Sequence, residues 1–321
     1  MTEDMAGEIG AIVVGDAAYT RAETAAAAGV EVDSAVALWR AMGFAEVRDG
    51  DRVFSERDVR ALRTASLLRE LGVVDEAGLL ALTRTMAQAL SRLAHSHASI
   101  AASYLGGLAA PLDPLADEAV HTAAETLLDD VASLLEYVWR RHLAVAAESA
   151  FTAAPAASVE TAVGFADLVG FTETSRSMTP EELSALVETF EHLAAHLVGD
   201  VGGRVVKTLG DEVLFVADDV HGAVRLGLDL AERTPEATGV EVRVGVAFGP
   251  VVPRLGDVFG PTVNIASRLT ALARPGTVLL DRGAASALRD DAAFEVSPLR
   301  RQSVRGYSHL APFRVRRAVT S

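Results

Sequence analysis

Two carboxylates stand where carboxylates are uncommon. Asp167 interrupts the apolar run "VGFADLVGF", and a carboxylate buried without a partner is costly. Asp211 sits in a Gly-Asp turn between two strand-like runs, "RVVKTL" and "EVLFVA". If the first strand and this hairpin are neighbours in one sheet, the two carboxylates can share a site. Hard oxygen ligands, in a chain with no cysteine and no nearby histidine cluster, suit Mg²⁺ or Mn²⁺. Alone, Asp211 is also what an ordinary turn would use. Four residues before it comes Lys207, and of the 29 lysines and arginines it is the only lysine. A second cluster lies in "DVFGPTVNIASRL". Asn264 and Arg268 are four apart, so on a helix they share a face. An amide and a guanidinium so placed can hold a phosphate or the charge that develops on it; the bland alternative is a helix surface that is simply polar.

The elements that must position these residues follow from periodicity. From Thr161 onward, short apolar runs alternate with helical patterns. The helix after the first strand has a capping box, Thr179 with Glu182, and Pro180 at its first position. The hairpin follows, then the helix "VHGAVRLGLDLAE", the strand "VEVRVGVAFG", the helix "TVNIASRLTALA" and the strand "TVLLD". This β-α-β-β-α-β order predicts an α+β, ferredoxin-like layer with its helices on one sheet face. Residues 1–150 show helical periodicity and almost no strand signal. Asp75 is placed to cap a helix whose apolar face is Leu79, Leu82, Met86, Leu90 and Leu93. The small, Pro-containing stretch 151–160, "FTAAPAASVE", reads as a linker between a helical domain (1–150) and a catalytic domain (161–321).

Three strings in this order, "FADLVGFT", "GRVVKTLGDEVLF" and "GDVFGPTVNIASRL", resemble the catalytic domain of class III adenylyl cyclases. The resemblance covers roughly residues 160–317. It implies that Asp167 and Asp211 hold two metal ions, Mg²⁺ or Mn²⁺. It also implies that Lys207 and Asp257 select adenine, while Asn264 and Arg268 position the ribose and stabilise the transition state. "VRGY" is similar to the family's terminal phosphate-binding motif, with Arg305 where many members have lysine. Cyclisation needs the ribose 3′-oxygen to attack the α-phosphorus and expel pyrophosphate. A pair of metal ions serves that displacement, and no side-chain nucleophile is required. Adenine offers an acceptor at N1 and a donor at N6, which a lysine and an aspartate match; guanine reverses both demands. ATP rather than GTP is the expected substrate. In the family each site is built from two catalytic domains, so a chain carrying all six positions is expected to work as a homodimer. One departure concerns the arginine that several members carry after the glycine ending the fourth strand: here Pro250 stands there. The second phosphate-binding arginine is therefore left unassigned, with Arg254 a guess for that place.

The N-terminal half resembles the autoinhibitory helical domains of bacterial adenylyl cyclases, the pH-responsive members above all. "YTRAETAAAAGVEVDSAVALWRAMGF" with "RVFSERDVRALRTASLLRELG" is similar as well to a MerR-type helix-turn-helix and wing. Charge weighs against DNA binding. Residues 1–158 carry 12 basic and 23 acidic groups, a net of −11, and the whole chain is at −15, whereas nucleic-acid backbones demand a basic surface. Nucleic acid is therefore not expected as a partner. Regulation by a proton, through histidines such as His95, His97, His121 and His142, or by a small apolar ligand is expected instead. No uninterrupted apolar run approaches membrane-spanning length, and the acidic start "MTEDMAGEIG" lacks the pattern of a signal peptide. A cytoplasmic location is the expectation. The rival reading is a nucleotide-binding sensor, or a MerR-like regulator, with a non-catalytic cyclase domain.

Overall fold

The computed structural model describes residues 12–106, 118–152, 158–304 and 306–318. The chain divides into two compact units, Met1–Ala153 and Ala154–Ser321.

The described part of the first unit is built from helices α1 (Arg21–Ala28), α2 (Val32–Ala41), α3 (Glu56–Glu70), α4 (Glu76–Gly106) and α5 (Glu118–Thr152). Local chemistry sets their starts. Thr20 and Glu23 form a reciprocal capping box on α1, and Ser55 and Asp58 form another on α3. Asp75 caps α4 as its position suggested, its Oδ1 accepting from the Gly78 amide at 2.7 Å. The core gathers Ala25, Leu38, Trp39, Phe54, Leu62 and Leu79, with Trp39 stacked on Phe54 at 4.3 Å between centroids. The periodic face of α4 is only partly used. Leu79 is buried, whereas Leu82, Met86 and Leu90 are exposed.

The second unit is a mixed sheet with helices on both faces. Its strands are β1 (Val159–Leu168), β2 (Arg204–Leu209), β3 (Glu212–Ala217), β4 (Val242–Arg254), β5 (Asp257–Phe259), β6 (Val278–Leu280), β7 (Phe294–Pro298), β8 (Gln302–Val304), β9 (Tyr307–Leu310) and β10 (Phe313–Arg317). Its helices are α6 (Phe171–Thr174), α7 (Pro180–Asp200), α8 (Val220–Thr238), α9 (Pro261–Leu272) and α10 (Arg282–Ala287). The order across the sheet is β2-β3-β1-β4-β6-β10-β7, with β5 hairpinned onto β4 and β8 paired with β9 in a small separate sheet. The run β2-β3-β1-β4 is the ferredoxin-like arrangement expected from β-α-β-β-α-β, and the β4–β6 pair is parallel. The Thr179 capping box and Pro180 open α7 as read from the sequence.

Alternation along β1 shows where the layers lie. Ala162, Ala166 and Leu168 pack with Phe190 of α7 and Val224 of α8, whereas Val163 and Phe165 pack with Ala266 and Leu269 of α9. Successive strand residues point to opposite faces, so α7 and α8 cover one face and α9 covers the other. The two helices of the β-α-β-β-α-β unit thus share one face as expected, and α9, which follows that unit, closes the face it leaves open. Its approach is set by Gly245 on β4. A Cβ there would stand 2.3 Å from the Thr270 backbone nitrogen and 2.6 Å from the Ala266 carbonyl oxygen. β4 also runs on past Gly249 to Arg254 before turning into β5, longer than the strand visible in the sequence.

Candidate active site

The chemistry-bearing strand residues lie on the side of the sheet that α9 covers. Asp167 is an odd-numbered β1 residue, like Val163 and Phe165, and so shares their face. The register sets it directly opposite Glu212 on β3 and Arg243 on β4. Directly opposed residues point the same way, so Glu212, Asp167 and Arg243 form a row across three strands. Asp211, at the turn into β3, is tied to the end of β1 by its carbonyl, which accepts from the Leu168 amide at 3.0 Å. The hairpin therefore does bring the two expected carboxylates together.

Asp167 is well covered, its side chain 14% exposed; Arg243 Nε donates to its Oδ2 at 2.6 Å, and Nη2 lies 2.5 Å from the same oxygen as an ion-pair contact. Burial raises the Asp167 pKa. Arg243 opposes that rise, and the charge of Asp211 adds to it. Glu212 shows the same crowding more strongly. Burial first, then the charges of Asp167 and Asp211, push its carboxyl up to about 7. Among the described residues no cluster of three or more His, Cys, Asp or Glu side chains is placed to hold a metal ion. Two neighbouring carboxylates nevertheless match what Mg²⁺ takes from a protein when phosphate oxygens and water complete its shell.

Lys207 is opposite Leu214 on β3, on the α9 side. Its Nζ lies 2.6 Å from Asp257 Oδ2, with the two side chains 34% and 27% exposed. The other Asp257 oxygen accepts from the Val258 amide at 2.8 Å. Burial raises the pKa of Asp257, but the Lys207 hydrogen bond, the Val258 amide and the charges of Lys207 and Arg204 outweigh it and hold the carboxyl below its usual value. Arg204 also fastens the β4–β5 turn, donating to the Gly256 carbonyl at 2.8 Å. That turn holds Leu255 at φ 52°, a left-handed conformation unusual for a branched side chain.

Asn264 and Arg268 sit one turn apart on α9, Asn264 exposed and Arg268 half-buried. Arg254 is exposed near the end of β4. Arg305 lies outside the described residues, as does the side chain of His121. Glu212, Arg243 and Arg204 were not singled out in the sequence. The first two had a signal in retrospect, since each is a charged residue beside apolar strand positions, as Asp167 is. Their meaning comes from register, which one strand alone does not reveal.

A family profile, Adenylate and Guanylate cyclase catalytic domain, matches residues 155–316. The chain belongs to this family. Similarity to curated relatives extends into the helical half. The chain is 43% identical over 297 residues to an adenylate cyclase of Streptomyces coelicolor, covering 90% of this chain and 77% of the relative. It is 33% identical over 313 residues to a pH-sensitive adenylate cyclase of Mycobacterium tuberculosis, covering 91% and 76%. Among solved structures, the adenylyl cyclase CyaB from P. aeruginosa aligns at 22% identity and a TM-score of 0.46, over 51% of this chain and 96% of that one. Among the described residues no helix is long and apolar enough to cross a membrane.

Proposed function

We propose that this adenylate cyclase converts ATP to 3′,5′-cyclic AMP and pyrophosphate in the cytoplasm, at sites shared by two copies of the chain. The observation that carries the choice of ATP is the Lys207–Asp257 pair at 2.6 Å. A lysine has three donors and spends one on Asp257. It retains donors for adenine N1, and Asp257 retains lone pairs for the N6 amino group. Guanine would meet a donor with a donor and an acceptor with an acceptor.

The other residues have distinct tasks. Asn264 orients the ribose so that its 3′-oxygen faces the α-phosphorus. Arg268 offers a fixed positive charge to the phosphate oxygens as the bond to the leaving pyrophosphate breaks, and donors fixed in advance cost no reorganisation at that moment. Asp167 and Asp211 would hold two divalent ions, Mg²⁺ or Mn²⁺, which when bound make the attacking hydroxyl more acidic and offset phosphate charge. Arg305 and Arg254 remain candidate contacts to the terminal phosphates.

The first unit is assigned a regulatory role. It contains a half-open pocket of about 460 Å³ whose wall joins apolar Val36, Trp39 and Phe54 to charged Arg21, Arg40 and Asp58; a small, largely apolar ligand is one candidate signal and protonation the other. Equal activity of the full chain and of residues 160–321 alone at every pH from acidic to alkaline would remove that role.

The main test incubates the purified chain with ATP or GTP and Mn²⁺ and identifies products by mass spectrometry. Cyclic AMP from ATP is expected. Bound ATP without product would instead favour a nucleotide sensor. Mixing Asp167→Ala with Asn264→Ala protein probes the shared sites. Mixed dimers should recover part of the activity, and confirmed mixed dimers that stay inactive would refute sharing.

A further inference from the structure

The Asp167–Arg243 contact has an unusual division. Nε and Nη2 of Arg243 both reach the same carboxylate oxygen, Oδ2, at 2.6 and 2.5 Å. The more familiar fork spreads two N–H groups over two carboxylate oxygens. No described residue donates a hydrogen bond to Oδ1, and the Asp167 side chain keeps 14% of its surface exposed. The strand register fixes this arrangement. Arg243 is held opposite Asp167 by the β1–β4 ladder, with Glu212 on the other flank through β1–β3. Three carboxylates, Asp167, Asp211 and Glu212, therefore crowd one end of the sheet with Arg243 as the cation bonded to Asp167.

We propose that Arg243 is a positioning residue for the metal site: it locks Asp167 Oδ2 and presents Oδ1 as the ligating oxygen. The proposal rests on the reading that Asp167 binds metal, and it adds a residue with no direct contact to metal or nucleotide. Carboxylate ligands are commonly held by hydrogen bonds of their own, and loss of such a partner weakens metal binding. An opposing effect exists. A guanidinium near a divalent ion repels it, and removing that charge alone would tighten binding. The two effects have opposite signs, which makes the proposal decidable. Arginine suits the task better than lysine, because its rigid planar guanidinium fixes the direction of the Nε–H donor to Oδ2 and sets a second nitrogen against the same oxygen, whereas an ammonium on a flexible stem does not.

The experiment titrates the full-length chain with Mn²⁺ alone and follows loss of the free-ion electron paramagnetic resonance signal. Asp167→Asn defines which binding depends on this site. Arg243→Gln should weaken the Asp167-dependent binding by about tenfold or more, and Arg243→Lys should fall between it and the native chain. Thermal melts without metal show whether each variant is folded. If Arg243→Gln does not fold, Arg243→Lys decides the matter in the same direction. Native or tighter Mn²⁺ binding in the deciding variant overturns the positioning role while leaving the metal assignment intact. Identical Mn²⁺ binding by the native chain and Asp167→Asn overturns the metal assignment of Asp167, and this proposal with it.

Discussion

Asp167 and Asp257 are two aspartates on one side of one sheet, each held by a single cation at 2.5–2.6 Å, and their carboxyls are shifted in opposite directions. Burial opposes ionisation at both. At Asp257 it is outweighed by the Lys207 hydrogen bond, the Val258 amide and two positive charges, and the group stays a firm acceptor. At Asp167 it wins, because Asp211 adds like charge and Arg243 does not fully offset the sum. An ion pair by itself does not set a carboxylate's state; the surroundings decide. Asp167 is a carboxylate short of positive charge, as its proposed cation role requires, while Asp257 is already paired, as its proposed role as an acceptor for the base requires.

The contrast can be attacked from both ends. The largest effect should come from Asp167→Asn. If the site depends on a charged ligand, cyclic AMP formation should fall by roughly a thousandfold, equivalent to about 4 kcal/mol of lost transition-state stabilisation. A variant within a few fold of the native rate would end the division of roles. Lys207→Arg should retain a native circular-dichroism spectrum but lower kcat/KM for ATP by roughly 10–100-fold, the worth of a well-placed hydrogen bond. Unchanged kinetics would mean that the Lys207–Asp257 pair is structural.

Smaller effects test the electrostatics without turnover. Glu212 has a folded pKa above its unfolded value, so its ionisation opposes folding. The penalty is absent below about pH 4.5, grows as pH rises, and is complete above about 7. Glu212→Gln should therefore raise the melting temperature at pH 8, measured without metal, by about 3 °C once partial exposure is allowed for. The gain should shrink at pH 5, and equal gains at both values would contradict the crowding. Asp257, with its lowered pKa, has the reverse sign. Its contribution is present above its ordinary value of 3.8 and is lost as pH falls. Because solvent still reaches the partly buried pair and screens it, Asp257→Asn should cost only about 1 °C at neutral pH. A larger loss there than the Glu212→Gln gain would reverse the ranking of the two sites.

Much of the catalytic unit is legible in the sequence because period and punctuation agree. The observed bounds of β2 and β3 are the two apolar runs around Gly210-Asp211, and Thr179 with Pro180 marks the start of α7. What stays hidden is what depends on pairing between distant segments. Nothing local states that Arg243 and Glu212 flank Asp167, 76 and 45 positions away in the chain, since that is a fact of register. Nor does the helical pattern of α9 say which face of the sheet it will cover; that depends on Gly245 being bare enough to admit its backbone. In the first unit the periodicity of α4 foretold a helix but not burial of its apolar stripe, because amphipathicity reports a face and not its partner.

The solitary lysine has a practical meaning for chemistry performed on the protein from outside. A chain with one lysine carries one side-chain amine, and Lys207 is 34% exposed. An acylating reagent that modifies side-chain amines therefore has a single target, beside Asp257. Labelling at Lys207, read from the peptide that carries it and so apart from the α-amine, becomes a direct count of accessible ε-amines, and protection from the label becomes an occupancy gauge for whatever covers that amine.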